Sequence, residues 1–85
     1  MAYRIEYEPA ASRAVERAEH QMARRLLEKI ESLADNPRPP GSVKLTGLQA
    51  YRVRVGDYRI IYEIYDGELI VLVIDVGHRR EVYRR

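Results

Sequence analysis

The chain has no cysteine and only two histidines. The first absence excludes a disulfide framework and a thiolate zinc site, and the second excludes a histidine-rich metal centre. No glycine-rich loop of Walker or Rossmann form occurs, nor a His-Glu-x-x-His or Gly-x-Ser-x-Gly motif. Nucleotide-phosphate cradling, zinc proteolysis and serine hydrolysis therefore have no local signature. No apolar run reaches the roughly 20 residues of a membrane span. Arg4, Glu6 and Glu8 break up the start of the chain, so no secretory signal is visible. The expectation is a cytoplasmic protein with no metal and no cofactor.

What is present suits one small domain over residues 1–85. Hydrophobic residues make up 46% and charged residues 33%, the mix of an ordinary soluble domain. Such a chain buries roughly 60–65% of its unfolded surface on folding, so the core is modest. Net charge is +2, but the distribution says more. Residues 1–35 hold six basic and seven acidic side chains, whereas residues 36–85 hold nine basic and six acidic. A local positive excess is the footprint of nucleic-acid contact.

That excess centres on Tyr51 to Glu63. Tyr51, Val53 and Val55 alternate with Arg52 and Arg54, the period of a half-buried strand. Gly56-Asp57 supplies a type II′ turn. Pairing then follows: Val55 with Tyr58, Arg54 with Arg59, Arg52 with Ile61. Arg52, Arg54 and Arg59 share one face, and Tyr51, Val53, Val55, Tyr58, Ile60 and Tyr62 share the other. Like charges facing each other destabilise a strand pair. Guanidinium forks, however, bind phosphate oxygens bidentately, so an anionic ligand is one reading of this face. A wet basic surface is the other.

Tyr3 to Tyr7 reads as a short strand. Pro9 opens a helix with Ala11, Ala14, Val15 and Ala18 on one stripe. Near Glu19-His20 the pattern fits one bent helix or two. Met22, Ala23, Leu26, Leu27, Ile30, Leu33 and Ala34 then follow a helical period, with Arg24, Arg25, Glu28, Lys29 and Glu31 mainly opposite. Those mixed charges predict a solvated face with local ion pairs. Asp35-Asn36-Pro37 ends the helix. Residues 36–50 form a loop in which Leu45 and Leu48 anchor to the core and Lys44 adds charge near the hairpin. Asp66-Gly67 predicts a type I′ turn, and Glu68 to Val76 predicts a central strand buried on both faces. Ile61, Ile70, Leu72 and Ile74 then fall on the arginine face. His20 reads as a surface residue. His78 follows a glycine at a strand end beside Arg79 and Arg80, where an imidazole titrating near neutrality suits acid–base work. Tyr83 fits a core aromatic, a base-stacking ring or a proton shuttle.

Lys-Leu-x-Gly, then Tyr-Arg-Val-Arg-Val-Gly-Asp-Tyr-Arg-Ile-Ile-Tyr, then Val-Gly-His-Arg-Arg-Glu-Val-Tyr resembles the RelE family of toxin–antitoxin toxins. The likeness runs from the first strand to Tyr83. It implies an α+β fold, a small antiparallel sheet packed against two N-terminal helices in the order β-α-α-β-β-β. It also implies an mRNA interferase that cuts mRNA in the ribosomal A site and so inhibits translation. A RelB-like antitoxin would neutralise it, with operator DNA met only through that complex and no membrane involved. By position, the resemblance assigns catalysis to Arg54, Arg59, Arg79 and Tyr83, with His78 and Glu81 added by analogy to related toxins. It assigns RNA phosphate contact to Lys44, Arg52 and Arg80. In the family's mechanism a ribose 2′-OH attacks the adjacent phosphorus in line, leaving a 2′,3′-cyclic phosphate or a related end. Cationic side chains stabilise the developing charge.

One departure stands out. The best-known member has lysines where this chain has Arg52 and Arg54. Arginine keeps its proton, so the general base falls to His78, Glu81 or Tyr83. Two competing readings come from other classes. One is a gyrase-poisoning toxin of the same superfamily, marked by accumulated cleaved DNA. The other is a binding module that docks RNA or protein without cutting. The aliphatic strip beside the arginines predicts docking of an acidic, amphipathic antitoxin segment.

Overall fold

In the computed structural model, residues 2–47 and 49–78 are described. The chain runs β1 (Arg4–Tyr7), α1 (Pro9–Arg17), α2 (His20–Ser32), β2 (Val43–Lys44), β3 (Ala50–Val55), β4 (Tyr58–Tyr65) and β5 (Ile70–His78). The strands form one sheet in the order β1-β5-β4-β3-β2. The α+β class holds, with two differences. β1 lies parallel to β5, so the sheet is mixed. β2 adds a short strand from within the expected loop, pairing Val43 with Arg52 and Lys44 with Tyr51.

The helix break resolves as two helices. Ala18 and Glu19 are both extended, at ψ 154° and 146°. The Glu19 carboxylate accepts the Met22 amide at 3.1 Å, satisfying one of the donors a new helix leaves unpaired. Pro9 begins α1, where a missing amide hydrogen costs nothing. Both helices cover one side of the sheet. Ala11 and Val15 of α1, with Leu26 and Ile30 of α2, pack against Val53, Val55, Ile60, Tyr62, Ile64, Val71, Val73 and Val76. The small residues of α1 let it lie close to the sheet. Leu27 departs from its expected place, since it is 38% exposed and outside that core.

Two expectations for the last strand change. β5 begins at Ile70, and a four-residue turn, Asp66 to Leu69, joins it to β4. Leu69, not Gly67, takes positive φ, at 57°. The strand pair alone does not fix this shape. The Leu69 carbonyl accepts the Arg4 amide of β1 at 2.7 Å, and its amide donates to the Asp66 carbonyl at 3.3 Å. Nor is β5 buried on both faces. Val71, Val73 and Val76 are buried beneath the helices, whereas Ile70, Leu72 and Ile74 remain half-buried on the far side. There Ile74 and Leu45 pack against Ala50 and Ile61, a second and smaller apolar cluster. Leu45 therefore anchors its loop as expected; Leu48 lies outside the described residues.

β5 also carries a bulge. Ile61 faces Asp75, but the next residue, Tyr62, faces Val73, so Ile74 is the extra residue. Past that point every β5 side chain changes face relative to a regular strand. The Asp75 carboxylate accepts the adjacent Val76 amide at 2.9 Å, supplying a partner where the ladder is disrupted.

Candidate nucleic-acid interface

The central hairpin has the expected register. Arg54 lies opposite Arg59, Arg52 opposite Ile61, and Val55 opposite Tyr58. Gly56 has φ 58° at the first turn position, and Asp57 is not among the residues at positive φ, as a type II′ turn requires. Opposed residues in such a ladder have Cα atoms about 5 Å apart. Two arginine side chains thus leave facing backbone positions on the side away from the helices. Arg54 is exposed; Arg52 and Arg59 are half-buried. On the other side of β4, Arg59 faces Gly77, which offers no side chain to crowd it. The face suits a phosphate group, because two forks can meet its oxygens from adjacent strands.

Two residues expected near this cluster lie elsewhere. The bulge at Ile74 turns His78 to the helix side, opposite Tyr58, with the two rings edge to face and 6.1 Å between centroids. Together with Ala14, Arg17, Ala18 and Gly77 they line a separate cavity of about 230 Å3. Lys44 also points away from the arginine face, since β2 pairs it with Tyr51 while Val43 sits beside Arg52. Lys44 lines a cavity of about 170 Å3 with Arg38, Gln49, Tyr51 and Asp66. Arg79, Arg80, Glu81 and Tyr83 lie outside the described residues. Among the described residues no group of His, Cys, Asp and Glu is placed to hold a metal ion, and no helix is long and apolar enough to cross a membrane.

At the other end of the sheet, Arg38 is tied down. Its guanidinium donates to Asp66 at 3.0 and 3.3 Å and to the Tyr51 hydroxyl at 3.2 Å. It also lies over the Tyr51 ring, 5.4 Å from the centroid. The Tyr3 hydroxyl donates to the same carboxylate at 2.6 Å. Arg38, and then Tyr3, hold the Asp66 carboxyl below the usual carboxylate range. Burial pushes the neighbouring Tyr62 phenol up to about 12, and its hydroxyl donates to the Pro37 carbonyl at 2.8 Å. The sequence held no local signal for this network, whose central partners stand 28 residues apart.

The profile of a family described as the ParE toxin of type II toxin–antitoxin systems, parDE, matches residues 3–83. The chain belongs to that family. Its RelE-type members are its relatives among curated proteins and solved structures. The mRNA interferase toxin RelE of Escherichia coli is 28% identical over 88 residues, spanning 98% of this chain and 92% of its own. The RelE–RelB complex of Pyrococcus horikoshii contains a chain that superposes with a TM-score of 0.83 at 27% identity, over 96% of this chain and 100% of that one. The intact RelBE toxin–antitoxin complex of Escherichia coli gives a TM-score of 0.80 over 99% of this chain and 100% of that one; at 24% identity it shares the fold. The chain is thus a type II toxin of RelE kind.

Proposed function

We propose that this toxin is an endoribonuclease that cleaves mRNA in the ribosomal A site. The observation that carries the reading is the facing pair Arg54 and Arg59, with Arg52 beside it, on the sheet face that the helices leave open. A phosphodiester held there meets two guanidinium groups. As the ribose 2′-OH attacks phosphorus, negative charge grows on the non-bridging oxygens, and fixed cations stabilise that charge more than they stabilise the starting diester. The P–O5′ bond then breaks, leaving a 2′,3′-cyclic phosphate and a 5′-hydroxyl. Arginine does not lose its proton, so the pair does not serve as the base. His78 lies on the opposite face, which leaves Glu81 and Tyr83 as the preferred proton-transfer candidates. Arg79 and Arg80 add cations in sequence to the same reading. The relative named an mRNA interferase supports it.

A second reading has one specific observation behind it, the parDE description of the matching family. In that case the toxin poisons gyrase and the arginines meet DNA or protein instead. Mapping RNA ends after induction in cells separates the two. Cuts within translated frames are expected. Accumulated cleaved DNA without such cuts would favour the gyrase reading.

The partner proposed is a RelB-like antitoxin, as in the solved complexes of the relatives. Ile70 and Leu72 stay half-buried on the face away from the helices, and Tyr65 nearby is 41% exposed. An acidic, amphipathic segment lying there covers the aliphatic strip and screens the arginines. Replacing Leu72 with Asp is expected to loosen the complex more than moderate salt does, measured by calorimetry on folded toxin. An unchanged affinity would move the antitoxin to another face.

A further inference from the structure

The positive charge does not stop at the hairpin face. It continues around the edge of β3 onto α2. β2 pairs only with Arg52 and Tyr51, so among the described residues Val53 to Val55 have no strand beside them on that edge. Two cavities open there. One, of about 440 Å3, is lined by Arg25, Glu28, Lys29 and Arg54 among others. The other, of about 360 Å3, is lined by Lys29, Pro40, Val43, Arg52 and Arg54 among others. Lys29 and Arg54 border both, so the two join into one groove with four cations and a single carboxylate along its walls.

Those cations are not used to hold the fold. Among the described residues the ion pairs are Arg4–Glu6 and Arg38–Asp66. Arg25, Lys29, Arg52 and Arg54 therefore have no carboxylate partner there, and the ion pairs expected along α2 do not form. Arg24 precedes Glu28 by one turn, the weaker order for such a pair, while Arg25 and Lys29 are like charges one turn apart, which costs stability. Arg25 also reaches the hairpin tip: a Cβ on Gly56 would sit 3.5 Å from its guanidinium nitrogen.

We propose that this groove carries the phosphate backbone of the RNA strand continuing from the Arg54–Arg59 pair, with Arg25 and Lys29 each meeting a phosphate. The proposal rests on the endoribonuclease reading and extends it to residues on the helix side. RNA fits better than a protein segment because the walls are cationic and their exposed apolar side chains are Val43 and Pro40, Val53 and Val55 being buried in the core, whereas a protein interface needs an accessible apolar centre. The groove also begins at Arg54, where the reacting phosphate is already held.

The test is fluorescence anisotropy of the purified chain with a labelled RNA of about twelve nucleotides, within the usual range of single-strand sites, and with a labelled trinucleotide. Both are titrated across a salt series. Arg25→Gln and Lys29→Gln are each expected to reduce the slope of log K against log[salt] by about 0.7 for the longer RNA, and so to weaken it about fivefold at 0.1 M salt. Binding of the trinucleotide stays as in wild type. Arg13→Gln, the same charge change on the outside of α1, leaves both unchanged. The groove assignment is overturned if the two variants bind the longer RNA as Arg13→Gln does, if they weaken the trinucleotide equally, or if the wild-type chain binds neither RNA in a salt-dependent way. Loss of affinity only for an acidic protein segment overturns it as well. The endoribonuclease reading stands or falls separately, on cut mRNA ends in induced cells.

Discussion

The two ends of the sheet treat arginine in opposite ways. At the Asp66 end, Arg38 is held by a carboxylate, a hydroxyl and an aromatic face, and its charge is consumed within the protein. At the Gly56 end, Arg52 and Arg54 share a face with Arg59, and Arg25 and Lys29 stand close by without a carboxylate partner among the described residues. The first arrangement fastens the loop after α2 to the turn between β4 and β5. The second carries a cost for folding, because like charges brought together repel. A cation held by a carboxylate serves the fold; Arg25, Lys29, Arg52 and Arg54, gathered without one among the described residues, suit an anionic ligand.

The largest expected effect falls at the Gly56 end. Arg59→Ala should lower the rate of RNA cleavage by about 10²-fold or more, as loss of one preorganised transition-state contact does, while circular dichroism shows the fold intact. A variant that still cuts at the wild-type rate would remove the facing pair from the mechanism.

The Asp66 end should respond in stability instead. Tyr62→Phe deletes the buried hydrogen bond to the Pro37 carbonyl, a loss of about 1 kcal/mol, with cleavage unaffected. Its pH signature sharpens the test. The folded-state pKa of Tyr62, about 12, lies above the ordinary value of about 10. Its contribution is therefore complete below about pH 10 and is lost as pH rises toward 12. Denaturant unfolding should show the gap between wild type and variant closing over that alkaline window. A constant gap would mean that the phenol does not titrate with unfolding.

The smallest effect belongs to the exposed clamp. Asp66→Asn should lower the melting temperature at neutral pH and leave RNA cleavage unchanged. Because Arg38 and Tyr3 depress the Asp66 pKa, the stabilisation is present above the ordinary carboxylate pKa of about 4 and fades as pH falls through the lower folded value. Wild type and variant should converge in acid. Equal melting temperatures at pH 7 would reduce the clamp to a surface contact.

Much of this division was legible beforehand. The alternation from Tyr51 to Tyr62 and the single turn at Gly56 fix the hairpin register, since a two-residue turn leaves one pairing. That register alone places Arg52, Arg54 and Arg59 together. The apolar period of α2 and the proline at the start of α1 mark the helices in the same local way. Less visible were Lys44 and His78. Lys44 was read as part of a loop, because a two-residue strand has too few side chains to show a period. His78 was read from its place after a glycine at a strand end beside Arg79 and Arg80, which does not say which face it takes; the bulge at Ile74 decides that.

The sequence by itself determined the helical stretches, the central hairpin with its register and the positive character of one sheet face, because each follows from neighbours a few residues apart. Only the tertiary structure decided which cations would be neutralised. Arg38 meets Asp66 across 28 residues, and Arg25 and Lys29 join Arg52 and Arg54 only because α2 packs against β3. Charge pairing depends on distances of a few ångströms, and packing between distant segments sets those distances.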